Sequence, residues 1–215
     1  MQFLIDNLPL LRSAFLTTLS LSLLAGALAL VLGTLLAALR VSPVPPLRAA
    51  ATVYVEGFRC TPLTVVFFFI IFGLPQIDFA VSFFTGAVLS VGLYTAAFVS
   101  EAVRSGINAV SPGQAEASRA LGLTFGQSLQ EVVLPQAFRT VVPPLGNVWI
   151  AMVKNTSIAA GFSVSELSSL LPRLVNADAG DLTLVLVGVV VGYMVITLPS
   201  AAAVNRIERR VAILR

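Results

Sequence analysis

Long apolar stretches separated by short polar ones constrain this chain more than any other feature. A helix that crosses about 30 Å of hydrocarbon, rising about 1.5 Å per residue, needs about 20 apolar residues. Five stretches are long enough, at about 14–39, 52–74, 83–105, 139–164 and 182–204. Charged residues make up 11% of the chain, against about 25% in an ordinary soluble domain. Mean hydropathy is +0.96. The reading is an all-α membrane protein of five transmembrane helices, a single domain over 1–215, with no soluble domain, long linker or low-complexity tract. A cleaved leader is the alternative for the first stretch. Its apolar run, however, exceeds the 7–15 residues of a signal core, and no basic cluster precedes it.

The residues that are missing narrow the function. There is no histidine and one cysteine, Cys60, so an intrachain disulfide, a zinc or haem site of the usual kind and a Ser–His dyad all fall away. No metal is expected. The sole lysine, Lys154, does not follow a phosphate-binding glycine loop, so the chain carries no Walker A site of its own. A net charge of +3 gives a nucleic-acid role little support.

Basic residues set the expected orientation. Arg40, Arg48, Arg104, Arg119, Arg139, Arg206, Arg209, Arg210 and Arg215 flank one side, and Arg12 and Arg173 the other. The second side also carries Asp6, Asp78, Glu166, Asp178 and Asp181. The N-terminus is therefore expected outside and the C-terminus in the cytoplasm, which agrees with an odd number of spans.

The cytoplasmic loop of about 106–138 is patterned. Ser111, Pro112 and Gln114 spell an N-cap, a first helical position and a capping box, and Gly122 a left-handed stop, which predicts a helix over 112–121. Thr124 and Gln127 repeat the signature, so a second short helix is expected to end or bend near Leu134-Pro135. Ala117, Ala120 and Leu121 share one stripe, and Glu116 and Arg119 are spaced to pair. On these residues alone the loop is either a docking surface or a plain connector.

The run Glu116-Ala117-Ser118, three residues, Gly122, nine residues, Val132, one residue, Leu134-Pro135 resembles the EAA loop of ABC importer permeases. Ser118 stands for the second alanine and Val132 for isoleucine. Gly113-Gln114, Leu134-Pro135-Gln136-Ala137 with Arg139, Lys154-Asn155-Thr156-Ser157, Arg59-Cys60-Thr61-Pro62-Leu63 and Glu101-Ala102-Val103-Arg104 resemble the polar amino-acid uptake family, with the glutamate and glutamine permeases nearest. The resemblance implies a type I importer transmembrane domain with a cytoplasmic coupling helix, working by alternating access in a bacterial cytoplasmic membrane. Its implied partners are ABC ATPase subunits that hold the ATP and Mg, a second permease subunit (identical or a paralogue), and an extracytoplasmic amino-acid-binding protein. This chain itself then needs no cofactor. The implied coupling residues are Gly113, Glu116, Ala117, Ser118, Gly122, Leu134 and Pro135. Lys154, Asn155, Thr156 and Ser157 are candidates for the substrate path. Lys154 snorkels to the outer interface if the fourth span starts near Leu134, and lies near the midplane, placed to attract a substrate carboxylate, if it starts near Pro144.

Other residues admit plainer readings. Glu56 with Arg59, and Glu101 with Arg104, are spaced as ion pairs. Phe67, Phe68, Phe69 and Phe72 read as lipid-facing or packing surface. Pro62, Pro75 and Pro199 mark ends or kinks. Gly188 and Gly192 allow close packing, within one subunit or between two. The rivals from other classes are an intramembrane enzyme, a stand-alone secondary amino-acid carrier and a membrane scaffold. The spans show neither paired aspartates nor the buried acids an ion-coupled carrier needs, and no internal repeat is evident.

Overall fold

The computed structural model describes residues 7–172 and 182–211, and no strand occurs among them. In hydrocarbon a backbone must satisfy its own polar groups, which a helix does along its length. Seven helices carry the fold: α1 (Leu8–Arg40), α2 (Pro45–Cys60), α3 (Leu63–Phe68), α4 (Phe83–Asn108), α5 (Pro112–Ala120), α6 (Leu134–Asn155) and α7 (Leu182–Val211). Asp6, Arg173, Asp178, Asp181 and Arg215, which entered the charge count, lie outside the described residues.

α1 and α4 form the most extensive helix contact, and α4 also packs on α2 and α6. With lipid tails as apolar as leucine, such packing depends on close van der Waals fit. Small residues provide it. A β-carbon at Gly33 of α1 would stand 2.6 Å from Val99 and 2.7 Å from the Ala96 carbonyl oxygen of α4. At Gly106 of α4 it would overlap Val141 of α6, and the Thr140 hydroxyl donates to the Gly106 carbonyl at 3.0 Å beside it. α4 is thus the central post, with Ala87, Val91, Ala96 and Ala97 fully enclosed.

The second stretch is broken rather than straight. α2 stops at Cys60 and α3 starts at Leu63, bent by 107°. The cause is local: Pro62 forces Thr61 into an extended conformation (φ −102°, ψ 132°), and the Thr61 hydroxyl closes on the Gly57 carbonyl at 2.7 Å. Beyond α3 the winding loosens to a π segment, Phe69–Gly73, then tightens to a 3-10 turn, Leu74–Ile77, that contains Pro75. The phenylalanine cluster divides accordingly. Phe67 is enclosed and stacks on Phe162 at 4.8 Å, whereas Phe68, Phe69 and Phe72 face outward.

α1, α4 and residues 183–209 of α7 are long and apolar enough to cross a bilayer, and the bent α2–α3 pair is a fourth such unit if counted as one span. The fourth stretch differs from its expectation. α6 runs unbroken through Pro143 and Pro144 to Asn155, and residues Thr156–Phe162 continue as a 3-10 helix. Pro199 likewise lies inside α7 without ending it. Gly192 packs within the subunit, a β-carbon there standing 3.0 Å from Leu167.

At one end of the bundle the two spaced ion pairs fuse into a cluster. Glu56 accepts from Arg59 at 3.3 Å, and Glu101 from Arg104 at 3.0 Å. Arg40, at the end of α1, donates to Glu101 and lies 3.6 Å from Glu56. Three helices are tied there by two carboxylates and three guanidiniums.

Candidate functional site

Two surfaces carry the residues singled out by sequence. The first is the elbow between α4 and α6. α5 begins after Ser111, whose side chain makes no cap bond, so the capping box expected with Gln114 does not form; Gln114 N–H bonds the Ser111 carbonyl instead, at 2.9 Å. The second box does form. Thr124 N–H donates to Gln127 Oε1 at 2.9 Å and Gln127 N–H to the Thr124 hydroxyl at 3.3 Å.

The stop at Gly122 is a full Schellman closure. Its φ is +88°, Leu123 N–H reaches the Ser118 carbonyl at 3.2 Å, and Gly122 N–H reaches Arg119 at 2.9 Å. After one helical turn, Phe125–Gln127, helical winding does not end at Leu134-Pro135. It continues through a π segment, Ser128–Val133, into α6. Wider winding ahead of Pro135 lets the helix absorb a residue that lacks an N–H.

The elbow sorts the sequence candidates into an outer face and an inner brace. Gly113, Glu116, Ala117, Ala120 and Pro135 are exposed; Leu134 is 48% and Leu121 83% exposed. Ser118 is enclosed at 4%, donating to the Ala115 carbonyl at 2.9 Å and paired at 2.8 Å with the enclosed Ser128 hydroxyl. The hydroxyl that replaces a methyl at this position thus ties α5 to the π segment. Arg119 turns back to the Ala115 carbonyl at 3.3 Å rather than to Glu116.

The second surface is one face of α6. Asn147, Ala151 and Lys154 are exposed and Val148 and Asn155 half-buried, at helical spacing. Asn155 and Ala151 line a cavity of about 170 Å³ with Tyr94, Thr95, Phe98, Val148 and Met152, and the Tyr94 and Phe98 rings lie 5.0 Å apart. Lys154 stands 14 residues beyond the Thr140–Gly106 contact, about 21 Å along the helix. Measured from the start of α6 at Leu134, Lys154 is 20 residues and about 30 Å along the helix. Thr156 departs from its neighbours: it is fully enclosed and its hydroxyl donates to the Val153 carbonyl at 2.7 Å. Ser157 is half-buried. Glu166, assigned by sequence only to an outer flank, is fully enclosed and hydrogen-bonded to α1 and α7. A single acidic residue in a serine-rich loop gave no signal of that.

Residues 29–213 match the family of binding-protein-dependent transport system inner membrane components. The chain belongs to this family. It is 41% identical to the glutamate transport system permease protein GluC of Corynebacterium glutamicum, with 95% of each chain covered. It is 37% identical to the probable glutamine ABC transporter permease protein GlnM of Bacillus subtilis, covering 96% of this chain and 95% of that one. The structure of an amino acid ABC transporter with histidines superposes with a TM-score of 0.89 at 31% identity, covering 97% of both chains. The methionine transporter MetNI shares the fold, with a TM-score of 0.75 at 22% identity over 97% of this chain and 99% of that one. As a member of this family the chain is a multi-pass inner-membrane permease component of an ABC importer, and ATP hydrolysis falls to a separate subunit.

Proposed function

We propose that this permease moves glutamate or glutamine inward, and that α5 is the lever through which an ATPase drives it. The observation that carries the first part is Lys154 on the exposed face of α6, two residues after the Met152 that closes the cavity under Asn155. An ammonium at that position attracts a carboxylate and repels a cationic side chain. In an isolated bilayer, Asn147, Lys154 and Asn155 would face lipid at considerable cost, so this face is read as turned to a polar path shared with a second permease subunit.

The lever reading rests on the ridge of Glu116, Ala117, Ala120 and Leu121. A leucine 83% exposed on a polar loop is left uncovered by the described residues, and small neighbours let a partner backbone approach. ATP and Mg are read as bound by that ATPase partner. The ridge is read as lying on the ATPase side, on the proposed five spans with the N-terminus outside and the C-terminus in the cytoplasm.

The test is reconstitution of the permease with its ATPase and binding protein in proteoliposomes. ATP-driven uptake of glutamate or glutamine, unaffected by collapsing proton and sodium gradients, is the expected result. Uptake that follows an ion gradient without ATP would favour a stand-alone carrier, and preferential uptake of arginine would refute the assigned substrate class.

A further inference from the structure

Beyond the end of α6 lies a buried polar cluster that the transport reading has not used. Glu166 is fully enclosed. Its Oε2 accepts from the Tyr193 hydroxyl of α7 at 2.5 Å and from the Thr18 hydroxyl of α1 at 3.4 Å. Its Oε1 accepts from Ser168 N–H at 2.7 Å. Thr18 in turn accepts from Leu167 N–H at 3.1 Å, and the Ser169 hydroxyl donates to the Glu166 carbonyl at 2.6 Å. The Tyr193 hydroxyl also lies 3.0 Å from the Ser168 hydroxyl. One carboxyl group therefore joins α1, α7 and the 163–169 segment, which follows directly on the 3-10 helix Thr156–Phe162 that continues α6.

The point of attachment matters. Thr156 is where α winding gives way to 3-10 winding, and the residue before it, Asn155, lines the cavity beside Tyr94 and Thr95. Thr156 is enclosed while Lys154 on the neighbouring face is exposed, so a fixed Thr156 sets the rotation at which Lys154 and Asn155 are presented. A network of this kind is costly to leave half-satisfied and rigid when complete.

We propose that Glu166 is a positioning residue for the substrate path: by clamping the segment that follows Thr156–Phe162 to Thr18 of α1 and Tyr193 of α7 it fixes the end of α6 and thereby the aim of Lys154 and Asn155. This inference rests on the reading that the α6 face carries substrate, and the experiment separates the two. Glu166→Ala, Glu166→Gln, Tyr193→Phe and Asn155→Ala are compared in the complete reconstituted transporter, with uptake expressed per assembled complex. Glu166→Ala is expected to raise KM about tenfold with Vmax within about twofold; Glu166→Gln, which keeps an acceptor for Tyr193, to restore KM to within about twofold; and Tyr193→Phe to raise KM about threefold. A purely structural role would change the amount of assembled complex and leave KM alone, and that outcome overturns the proposal. Should Glu166→Ala fail to assemble, Tyr193→Phe decides in the same way.

If Asn155→Ala leaves KM unchanged, the substrate-path reading is the one that falls. The positioning role is then judged separately by thiol labelling of Asn155→Cys in a Cys60→Ser background. Removing the Glu166 carboxyl, or the Tyr193 hydroxyl where that variant does not assemble, is expected to change the labelling rate about fivefold. An unchanged rate refutes the role.

Discussion

A single side chain on this protein can be tested almost in isolation, because Lys154 is the only lysine. Its ammonium stands on an exposed face of α6, one residue before that helix ends at Asn155. Lys154→Met keeps the length and removes the charge. Uptake KM for glutamate is expected to rise about tenfold, equivalent to about 1.4 kcal/mol, while Lys154→Arg keeps most of the affinity; initial-rate uptake in proteoliposomes measures both. Wild-type KM in the methionine variant would mean that the side chain only snorkels. Ser118 makes the opposite case. The spacing of the loop motif showed it as a tolerated stand-in for alanine, but nothing in the sequence indicated that its hydroxyl would face Ser128 ten residues on. Ser118→Ala removes one enclosed hydrogen bond and leaves the Ser128 hydroxyl short of a partner, a loss of about 1 kcal/mol. A fall of a few degrees in Tm is expected, with ATP-driven uptake per complex close to wild type.

Among elements, the elbow shows which local signals survive folding. Gly122 was legible because a left-handed residue closing a helix is a backbone requirement, and the Schellman bonds there use no side chain. The Ser111 box failed while the Thr124 box formed, and composition alone could not separate two segments with the same signature. Pro135 misled for a related reason. A proline predicts a helix end, but six residues of π winding carry the helix through it, and winding of that kind leaves no periodic trace in so short a run. The 107° break at Thr61-Pro62 was hidden in the same way, since the apolar run continues across it. Gly122 therefore gives the sharpest test at this scale. A β-carbon there meets open space, so Gly122→Ala pays only for a left-handed alanine, about 1–2 kcal/mol, and is expected to insert normally with reduced coupling. Gly122→Glu adds a charge beside the exposed Leu121 and is expected to uncouple hydrolysis from uptake. Simultaneous measurement of ATPase and transport checks this: normal transport in the glutamate variant would remove α5 from the coupling role.

For the molecule as a whole, the outcome depends on which end of the bundle faces the ATPase. The charge cluster and the elbow lie at the same end, because Arg40, Glu101 and Arg104 close the ends of α1 and α4 just before the chain enters α5. The sequence displayed that end through its basic residues but could not show that Arg40 joins two separately spaced pairs into one unit. Arg40 is largely enclosed, its side chain 8% exposed, so deprotecting it is expensive. Glu101→Gln is expected to lower stability by up to about 3 kcal/mol, read as reduced yield and Tm of detergent-solubilised complex, whereas Arg104→Gln, on a side chain 36% exposed, is expected to cost about 1 kcal/mol or less. The side itself is a separate question with a direct answer. Single cysteines at Gln114, Glu116 and Leu121, in a Cys60→Ser background, are exposed enough to react with a membrane-impermeant maleimide. In right-side-out vesicles they are expected to be protected, in inside-out vesicles labelled, and in inside-out vesicles bearing the assembled ATPase protected again. Labelling from the outer face would place the ridge where no ATPase can reach it, and both the orientation and the lever would have to be abandoned together.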